Sequence, residues 1–419
     1  MTGQLSNRKR LLLRTETVNG TSDNPSDAGA LAVPVDTTEL GFAEIDPEML
    51  EFQRQTGENE PTNSLIGGGM GKVSFTMALK GPDGTATTPP GSNLTAVSDA
   101  LTILCNSAFA DRVFSVSDTC LAAGSTVNDL ACTTAAWGKN DILCLYEAGL
   151  LTPNRAMWVR SAGTASPYPV DPTMEAVVTN STIAYGTEIW RKPSFPSALG
   201  SSLSAVIEQD GIQHELTFCR PSSLKITYTA RQVVLVSCEL VGRTSSRTNY
   251  ASLPDAAVTG PSELQGRLCR IKYGDTVVDT SQCELDFGLK QKLVLGADDA
   301  EGISDNVITR YDPVVTFSPL YSTDWEDAVA NSNRQTGGTP TQANIDSLQL
   351  MYGAGALSGG FINSGCLWGE RAQILAAPTT DDDELMRNGI SIKLVSPEFP
   401  AALQTGGADR GHMFSWCRA

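Results

Sequence analysis

The chain has 419 residues and a formal net charge of −17, and its composition is 41% hydrophobic and only 18% charged. This length can bury at least one large core, and two domains are expected. The acidic balance argues against wrapping nucleic acid or docking on anionic lipid, because both need a basic surface. The content of 38 glycines and 22 prolines favours short strands joined by many turns.

Targeting signals are not predicted. The basic residues Arg8 to Arg14 enclose three leucines, which are too few for a signal-peptide core, and no run of about eighteen apolar residues suggests a membrane span. The ten cysteines form no CxxC pair, and several fall at apolar strand positions. We expect buried, reduced thiols in a cytosolic product, with a disulfide framework as the weaker alternative.

The first part of the chain predicts an arm followed by strands. Residues 1–30 are polar apart from Leu11–Leu13, and we interpret them as an extended arm that the subunit does not need in order to fold. Ala32–Val35 is a candidate strand, and Val73–Leu79 alternates apolar and polar residues as a half-buried strand does. The Gly-rich stretch 67–72 lacks the residues that a phosphate-binding loop requires, so a flexible loop is predicted there.

The next part predicts one helix and an insertion. Apolar residues over Leu94–Phe109 recur with helical spacing, so this helix should lie across a sheet or plug the open end of a sandwich. Residues 113–190 are interpreted as an inserted set of short strands. Candidate strands within it are Ile142–Tyr146, Met157–Val159 and Ile183–Ile189.

A four-stranded meander between 203 and 241 is expected to organise the rest of the chain. Asp210-Gly211 is a strong hairpin signal, and Pro221–Ser223 is expected to end the second strand. In that strand, Ile212, His214, Leu216 and Phe218 should share one face. The last strand is almost entirely apolar up to Ser237, so cover on both sides is expected. The predicted strands are Leu203–Glu208, Ile212–Phe218, Leu224–Thr229 and Val233–Val241.

The final part predicts further strands and little else. A short helix is possible over Trp325–Ala330, and the acidic run Asp381–Glu384 is interpreted as a solvated loop, because it lacks the ligand spacing of a calcium site. The candidate strands are Leu268–Tyr273, Asp275–Val278, Ser281–Leu289, Lys292–Leu295, Val314–Ser318, Leu348–Met351, Gln373–Ala376 and Ile390–Val395.

Catalytic patterns are weak. The GxSxG motif is absent, and of the two histidines His214 falls on the apolar face of a strand, where a core or barrel-lining role is expected. A carboxylate pair for glycoside hydrolysis stays open, because any two of the 47 acidic residues could meet. No catalytic residue, metal site or cofactor is predicted.

A resemblance to a known family follows from the order of several short segments. The segments are Leu11-Leu12-Leu13-Arg14-Thr15-Glu16-Thr17, Gly20-Thr21, Gly71-Lys72-Val73-Ser74-Phe75-Thr76, the helix 94–109, Asp210-Gly211-Ile212-Gln213-His214-Glu215-Leu216 and Glu239-Leu240-Val241-Gly242. With these segments in this order, the chain resembles the major tail tube protein of long-tailed (siphovirus-type) bacteriophages. The resemblance covers most of the chain outside 113–190.

The resemblance implies a mainly β fold, a β-sandwich or barrel of the tail-tube type with one flanking helix and an inserted small β subdomain. The domains would be an arm (1–30), a core (31–112 and 191–419) and the insertion (113–190). It also implies a non-enzymatic virion protein, made in the bacterial host cytoplasm and located in the tail. Its copies form rings, usually of six, that stack into a tube carrying DNA without specific binding.

The implied partners are other copies of the chain and the tape measure, terminator and distal tail proteins, with no membrane. A meander has two open edges, which neighbouring subunits would pair, and the arm would dock its leucines on the next ring. The predicted subunit-interface residues are Leu11, Leu12, Leu13, Ile66, Met70, Val234 and Val236.

Two alternatives stay open. The first is a terminator, distal tail or baseplate component on the same fold. The second is a β-sandwich that binds or cleaves carbohydrate, for which the tryptophans would form a sugar-stacking platform. Those tryptophans are Trp137, Trp158, Trp190, Trp325, Trp368 and Trp416.

Overall fold

The computed structural model describes residues 9–18, 33–35, 37–45, 49–51, 64–66, 69–79, 100–109, 111–114, 118–133, 137–151, 155–185, 187–191, 200–209, 212–249, 270–274, 276–278, 280–296, 303–320, 345–353, 364–382, 385–395 and 414–418. Within these residues the chain is mainly β, with one helix, one large sheet and one closed six-stranded barrel.

The helix is α1 (Ala100–Ala108). The strands are β1 (Lys9–Thr15), β2 (Val33–Val35), β3 (Thr37–Ile45), β4 (Met49–Glu51), β5 (Ser64–Ile66), β6 (Met70–Ala78), β7 (Asp111–Phe114), β8 (Asp118–Leu121), β9 (Asp129–Cys132), β10 (Ile142–Tyr146), β11 (Met157–Ser161), β12 (Tyr168–Asp171), β13 (Ile183–Tyr185), β14 (Glu188–Arg191), β15 (Leu203–Gln209), β16 (Ile212–Thr229), β17 (Leu235–Asn249), β18 (Arg270–Tyr273), β19 (Thr276–Val278), β20 (Thr280–Asp286), β21 (Lys290–Leu295), β22 (Ile303–Arg310), β23 (Val314–Pro319), β24 (Ile345–Tyr352), β25 (Gly365–Ala376), β26 (Thr379–Asp382), β27 (Leu385–Asn388), β28 (Ile390–Leu394) and β29 (Ser415–Arg418).

The large sheet branches at two long strands. From β3 it passes through β6 and β17 to β16. The first half of β16 pairs with β15, which pairs with β1 and through it with β2. The second half pairs with β20, and the sheet continues through β23 and β28 to β25. There it divides again, toward β24, β18 and β19 on one side and β29, β14 and β7 on the other.

The edges of the predicted meander are not open. β15 pairs along its whole length with β1, and the first nine residues of β17 pair with β6. β2 and β3 are one residue apart in sequence, so their pairings with β1 and β6 join this part of the sheet into a circuit. The chain itself therefore supplies the strands that neighbouring subunits were expected to supply.

The predicted break at Pro221 is wrong. β16 continues through Pro221 as one strand that pairs with β17 on both sides of it, and register shifts after Glu215, Thr217 and Pro221 absorb the irregularity. Phe218 has a φ of 55°, so the strand bends there through a left-handed residue. This bend lets the two halves of β16 pair with different strands.

The shifts in β16 also alter which side chains face the core. Gln213 and Glu215 are buried, while Ile212 and His214 are half-buried, so the predicted alternation is wrong in this half. Beyond Pro221 the alternation is confirmed, with Leu224, Ile226 and Tyr228 in the core. In the last predicted strand the inner face is buried, but the outer face is only half covered.

Several predicted strands are confirmed. Val73, Phe75 and Met77 of β6 are buried, and alternate residues over 283–289 are buried in the same way. The stretch Met70–Lys72 lies in β6 and not in a flexible loop, and Asp381 and Asp382 lie in the β26–β27 hairpin. The predicted helix Trp325–Ala330 lies outside the described residues. The single strand predicted over Ile183–Ile189 is wrong, because β13 and β14 are separate strands that belong to different sheets. Strands also form at the other predicted positions, namely β2, β10, β11, β18, β19, β21, β23, β24, β25 and β28.

The helix α1 is buried nearly all round. Leu101, Leu104 and Ala108 follow the predicted apolar spacing, and even Thr102 and Ser107 are buried. It packs against β1, β15 and β16. Its C-terminal carbonyls accept side-chain hydrogen bonds, from Arg220 Nη1 to the Ser107 oxygen at 3.2 Å and from Tyr311 Oη to the Ala108 oxygen at 2.7 Å. The predicted residues 94–99 lie outside the described part.

The closed barrel lies within the predicted insertion 113–190. Its strand order is β10, β11, β12, β9, β8 and β13, and β13 pairs back to β10. Leu143 and Leu145 of β10 fill the barrel, while Ile142, Cys144 and Tyr146 pack against the large sheet. Because both faces of β10 are covered, its sequence is an unbroken apolar run. The separate-domain status of 113–190 stays a prediction.

Polar contacts also join the barrel to the large sheet. Trp158 Nε1 donates to Ser364 Oγ at 3.0 Å, and Gln349 Nε2 donates to the Trp158 carbonyl at 2.8 Å. On the rim, Glu175 accepts from both Arg155 and Arg270. Although burial alone raises the pKa of Glu175, the hydrogen bonds from Arg155 and then Arg270 leave it below its ordinary value.

Candidate functional site

The predicted interface residues lie mostly inside the subunit. Leu11 and Leu13 are fully buried in β1, Leu12 is 5% exposed, and Val234, just before β17, and Val236, within it, are fully buried. These five side chains pack in the chain's own fold, because β1 pairs with β15 and not with another ring. They therefore offer no surface to a neighbour, and the interface assignment for them is corrected.

The other two predicted interface residues lie near the β3 side of the sheet. Met70 begins β6, is half-buried and faces Ile45 across the β3–β6 ladder. Ile66 lies in β5, and its side chain falls outside the described part of the chain. Of the predicted set, Met70 alone is shown with part of its side chain at the surface.

Strand β3 is the longest edge of the sheet. Among the described residues, β2, β3, β7 and β19 each pair on one side only, and β3 has nine residues against three or four in the others. Glu39 and Ala43 are exposed. Lys9 Nζ donates to the Leu40 carbonyl at 3.4 Å, which places the start of β1 near this edge. An edge of this length presents backbone groups to which a further strand can pair.

A groove of about 450 Å³ lies beside this edge, on β3, β6, β17 and β16. Its walls combine hydroxyl and carboxylate side chains with Leu40, Phe75 and Cys238. Gly41 permits the close packing of β3 on β6, because a Cβ atom there would lie 2.8 Å from Ser74 Oγ. Thr76 Oγ1 and Ser237 Oγ are hydrogen-bonded at 3.2 Å. The polar side chains lining the groove are Glu39, Ser74, Thr76, Ser223, Ser237 and Glu239.

The lysines on this face form ion pairs with acidic side chains. Lys72 Nζ lies 2.6 Å from Glu239 Oε2, and Ser222 Oγ donates to Glu239 Oε1 at 2.8 Å. Burial alone raises the pKa of Glu239, but these hydrogen bonds lower it below its ordinary value. On the next strands Lys225 lies between Asp286, at 3.1 Å, and Glu284, at 3.2 Å, which raises the pKa of Lys225.

The groove and the residues around it present the following chemical groups. The groove offers hydroxyls and carboxylates, and its neighbouring lysines are already paired with acids. His214 packs its ring against Phe42 at 4.6 Å between centroids. Within the described ranges, no cluster of three or more His, Cys, Asp or Glu side chains is placed to hold a metal ion. The sole helix there, α1, is too short to cross a membrane.

The sequence contained part of the signal for this groove. Ser74 and Thr76 occupy the polar positions of the strand predicted over 73–79, so their exposure on one face follows from the alternation. Their meeting with Ser223 and Ser237 did not follow, because these residues lie on strands about 150 positions later in the chain. No local pattern marks Glu39 as their neighbour.

The five tryptophans in the described part of the chain do not form the predicted platform. Trp137, Trp158, Trp190, Trp368 and Trp416 are each at most 3% exposed, and Trp325 lies outside the described residues. Trp190 and Trp416 stack on each other inside the core with centroids 4.9 Å apart. A sugar-stacking role is therefore wrong for the five described tryptophans.

Comparison with known proteins adds no assignment. No protein-family model matches the chain, and no curated protein matches it. The fold and the side-chain geometry are thus the basis on which a function is proposed.

Proposed function

We propose that the chain is a structural virion protein of a long-tailed phage, whose copies form rings that stack into the tail tube and conduct DNA during ejection. The observation that carries the proposal is the nine-residue strand β3, which among the described residues pairs with β6 alone and is exposed at Glu39 and Ala43 beside the groove. A long unpaired edge is a template for a strand from another molecule. The mainly β fold with its packed helix is compatible with a tail-tube subunit.

Ring closure needs two different edges on each subunit, because a head-to-tail interface joins unlike surfaces. In our proposal β3 supplies one edge, and β7 or β19 supplies the other. This replaces the earlier expectation that β15 and β17 are the joining edges, since both are paired within the chain. Met70, next to β3, keeps its place in the proposed interface.

The charge of the chain fits a conduit that does not retain DNA. With a net charge of −17, a bore lined by these subunits repels phosphates, although only charges within about 10 Å act at moderate salt. The proposed partners are further copies of the chain and the tape measure, terminator and distal tail proteins. The proposed location is the virion tail, with synthesis in the bacterial host cytoplasm.

Electron microscopy of the purified full chain tests the proposal. We expect discs or tubes whose number rises with protein concentration, together with a concentration-dependent sedimentation coefficient. Discs that never stack would favour the terminator, distal tail or baseplate alternative. Strictly monomeric protein at every concentration would contradict both.

A variant of the edge identifies the joining strand. Ala43→Lys places a charge at an exposed position of β3. We expect the protein concentration needed for ring formation to rise at least tenfold, because a lysine on an edge strand opposes pairing with another strand. Val177→Lys is the matched control, since Val177 is 46% exposed but lies in the small barrel region. Equal assembly of both variants would show that β3 is not the joining strand.

A further inference from the structure

Two cysteines face each other across the pairing of β8 with β9 in the small barrel. Cys120 of β8 and Cys132 of β9 are directly opposed in the antiparallel ladder, and both are free thiols. Cys120 is fully buried and Cys132 is 8% exposed. Because directly opposed residues of an antiparallel ladder place their side chains on the same face, the two thiols lie side by side.

The position of this pair in the ladder suits a covalent bond. The Thr133 amide donates to the Thr119 carbonyl at 3.3 Å, which makes 119 and 133 a hydrogen-bonded pair. The next pair along the ladder is then of the non-hydrogen-bonded kind, in which Cα atoms are about 4.5 Å apart and side chains approach closely. Disulfides span Cα separations of about 4.4–6.8 Å. The bond can therefore form with little movement of the backbone.

The β8–β9 ladder is one of four short ladders in the barrel, each with two residue pairs. β8 and β9 share two residue pairs, and each pairs with its other neighbour through two more. By comparison, β10 and β11 share four. A cross-link between β8 and β9 would therefore reinforce one of the short ladders of the barrel.

We propose that Cys120 and Cys132 form a disulfide when the protein meets a small disulfide oxidant such as oxidised glutathione. The Cys132 thiolate attacks one sulfur of the oxidant and releases one glutathione thiolate, which leaves a mixed disulfide. The Cys120 thiolate then attacks the Cys132 sulfur and releases the second glutathione. Two protein thiols lose two electrons and two protons, and one oxidised glutathione becomes two reduced molecules.

The reaction should be slow at neutral pH. The hydrogen bond with Cys120, together with burial, raises the pKa of the Cys132 thiol, so little thiolate is present until the pH rises. This site does not depend on ring assembly, and a monomeric protein would form the bond equally well. A reducing cytosol would keep the pair open, and an oxidising medium would close it.

A second opposed pair in the same protein provides an internal control. Cys366 of β25 and Cys417 of β29 also face each other, but both are fully buried. Of these four cysteines, Cys132 alone has any exposed surface, so a dissolved oxidant is expected to reach this pair and not the other. We expect the Cys366–Cys417 pair to stay reduced while the fold is intact.

The test is incubation of the folded full chain with oxidised glutathione, followed by intact mass and a non-reducing peptide map. We expect the loss of two hydrogen atoms and one cross-linked peptide that contains Cys120 and Cys132. Cys132→Ala should abolish the link, and Cys417→Ala should leave it. Amide exchange over 119–133 should become about 100-fold slower after oxidation, since a loop of this length restricts the open state.

Three results would overturn the proposal. They are an unchanged mass, a glutathione adduct on Cys132 that never resolves, and a link between any other cysteines. The mapping on the unaltered chain gives these answers even if Cys132→Ala does not fold. A faster reaction at higher pH would support the thiolate step, and a rate independent of pH would contradict it.

Discussion

The small barrel and the large sheet differ in whether their edge strands are paired. The barrel closes on itself with strands drawn from 118–185, so no strand in its ring has a free side. The large sheet draws strands from 9–15 and from 415–418, and within the described part of the chain it still ends in strands paired on one side only, β3 among them. A barrel strand that is paired on both sides cannot accept a further strand, whereas a sheet strand that is paired on one side can. Association is therefore expected at the sheet and not at the barrel.

The two regions should also differ in how far their contacts reach along the chain. Barrel neighbours are separated by tens of residues at most, while β1 pairs with β15 almost 200 residues later. Long-range pairing is slower to form, because a long loop must close first. We expect the barrel to behave as a unit that unfolds separately from the sheet.

The largest expected effect comes from the buried ion pair of the sheet. Arg418 Nε lies 2.8 Å from Glu188 Oε2, both side chains are nearly inaccessible, and Arg418 also donates to Thr102 Oγ1 at 2.6 Å. Arg418→Met leaves a buried charge without its partner and should lower the free energy of unfolding of the sheet by about 3–5 kcal/mol. Urea unfolding followed by tryptophan fluorescence measures the loss.

The matching double variant gives the control. Glu188→Gln with Arg418→Met removes both charges and should recover part of the loss. Amide exchange in the barrel should stay as in the unaltered chain. Equal destabilisation of both regions would mean that sheet and barrel unfold together.

A pair of core truncations sharpens the same comparison. Leu13→Ala in β1 and Leu130→Ala in β9 each empty a fully buried site, and each should cost about 2–5 kcal/mol. Leu13→Ala should speed the hydrogen exchange of backbone amides in the large sheet, and Leu130→Ala should speed the exchange of those in the barrel. Hydrogen exchange with residue resolution distinguishes them, and a shared pattern would contradict two separate units.

The position of Leu13 also changes what removing the first residues does. The sequence predicted that the arm is dispensable for folding, but a chain without 1–15 loses β1 and uncovers one side of β15. We therefore expect this truncated chain to have a much lower free energy of unfolding, and not only a weaker stacking of its rings. A normal unfolding midpoint would show that another segment replaces β1.

The smallest expected effect is a dependence on pH at the rim of the barrel. Glu175 binds Arg155 and Arg270, and its folded pKa lies below the ordinary 4.5. A depressed carboxylate pKa contributes stability above the unfolded value, and this contribution disappears as the pH falls through the folded value. Urea midpoints measured from neutrality to below pH 4.5 should fall less in Glu175→Gln, and identical curves would show no contribution.

The sequence predicts strands better than it predicts their partners. Alternation located β6 and the strand near Cys283, because a half-buried strand shows itself over a few residues. The role of Leu11–Leu13 was missed, since the strand that covers them lies far along the chain. The strand break predicted at Pro221 was wrong because register shifts beside the proline let the strand continue. Strand β29 was missed because it has only four residues and ends in an arginine, which resembles a polar tail in the sequence.

The candidate site was harder still to predict. The exposed face of β6 could be foreseen, but the groove exists only because β3 and β16 lie beside β6 and β17. The interface residues were chosen for being apolar, and apolar residues of that kind mostly fill the subunit's own core. Exposed edges depend on which strands find partners within the chain, which is a property of the whole topology.

The bent strand β16 gives the molecule a mechanical property. Because its first half pairs with β15 and its second with β20, tension applied to one branch passes to the other through a single continuous backbone. A pull along the strands must break many ladder hydrogen bonds at once, while a pull across them opens the ladder one bond at a time. The subunit should thus resist stretching far more strongly along β16 than at right angles to it.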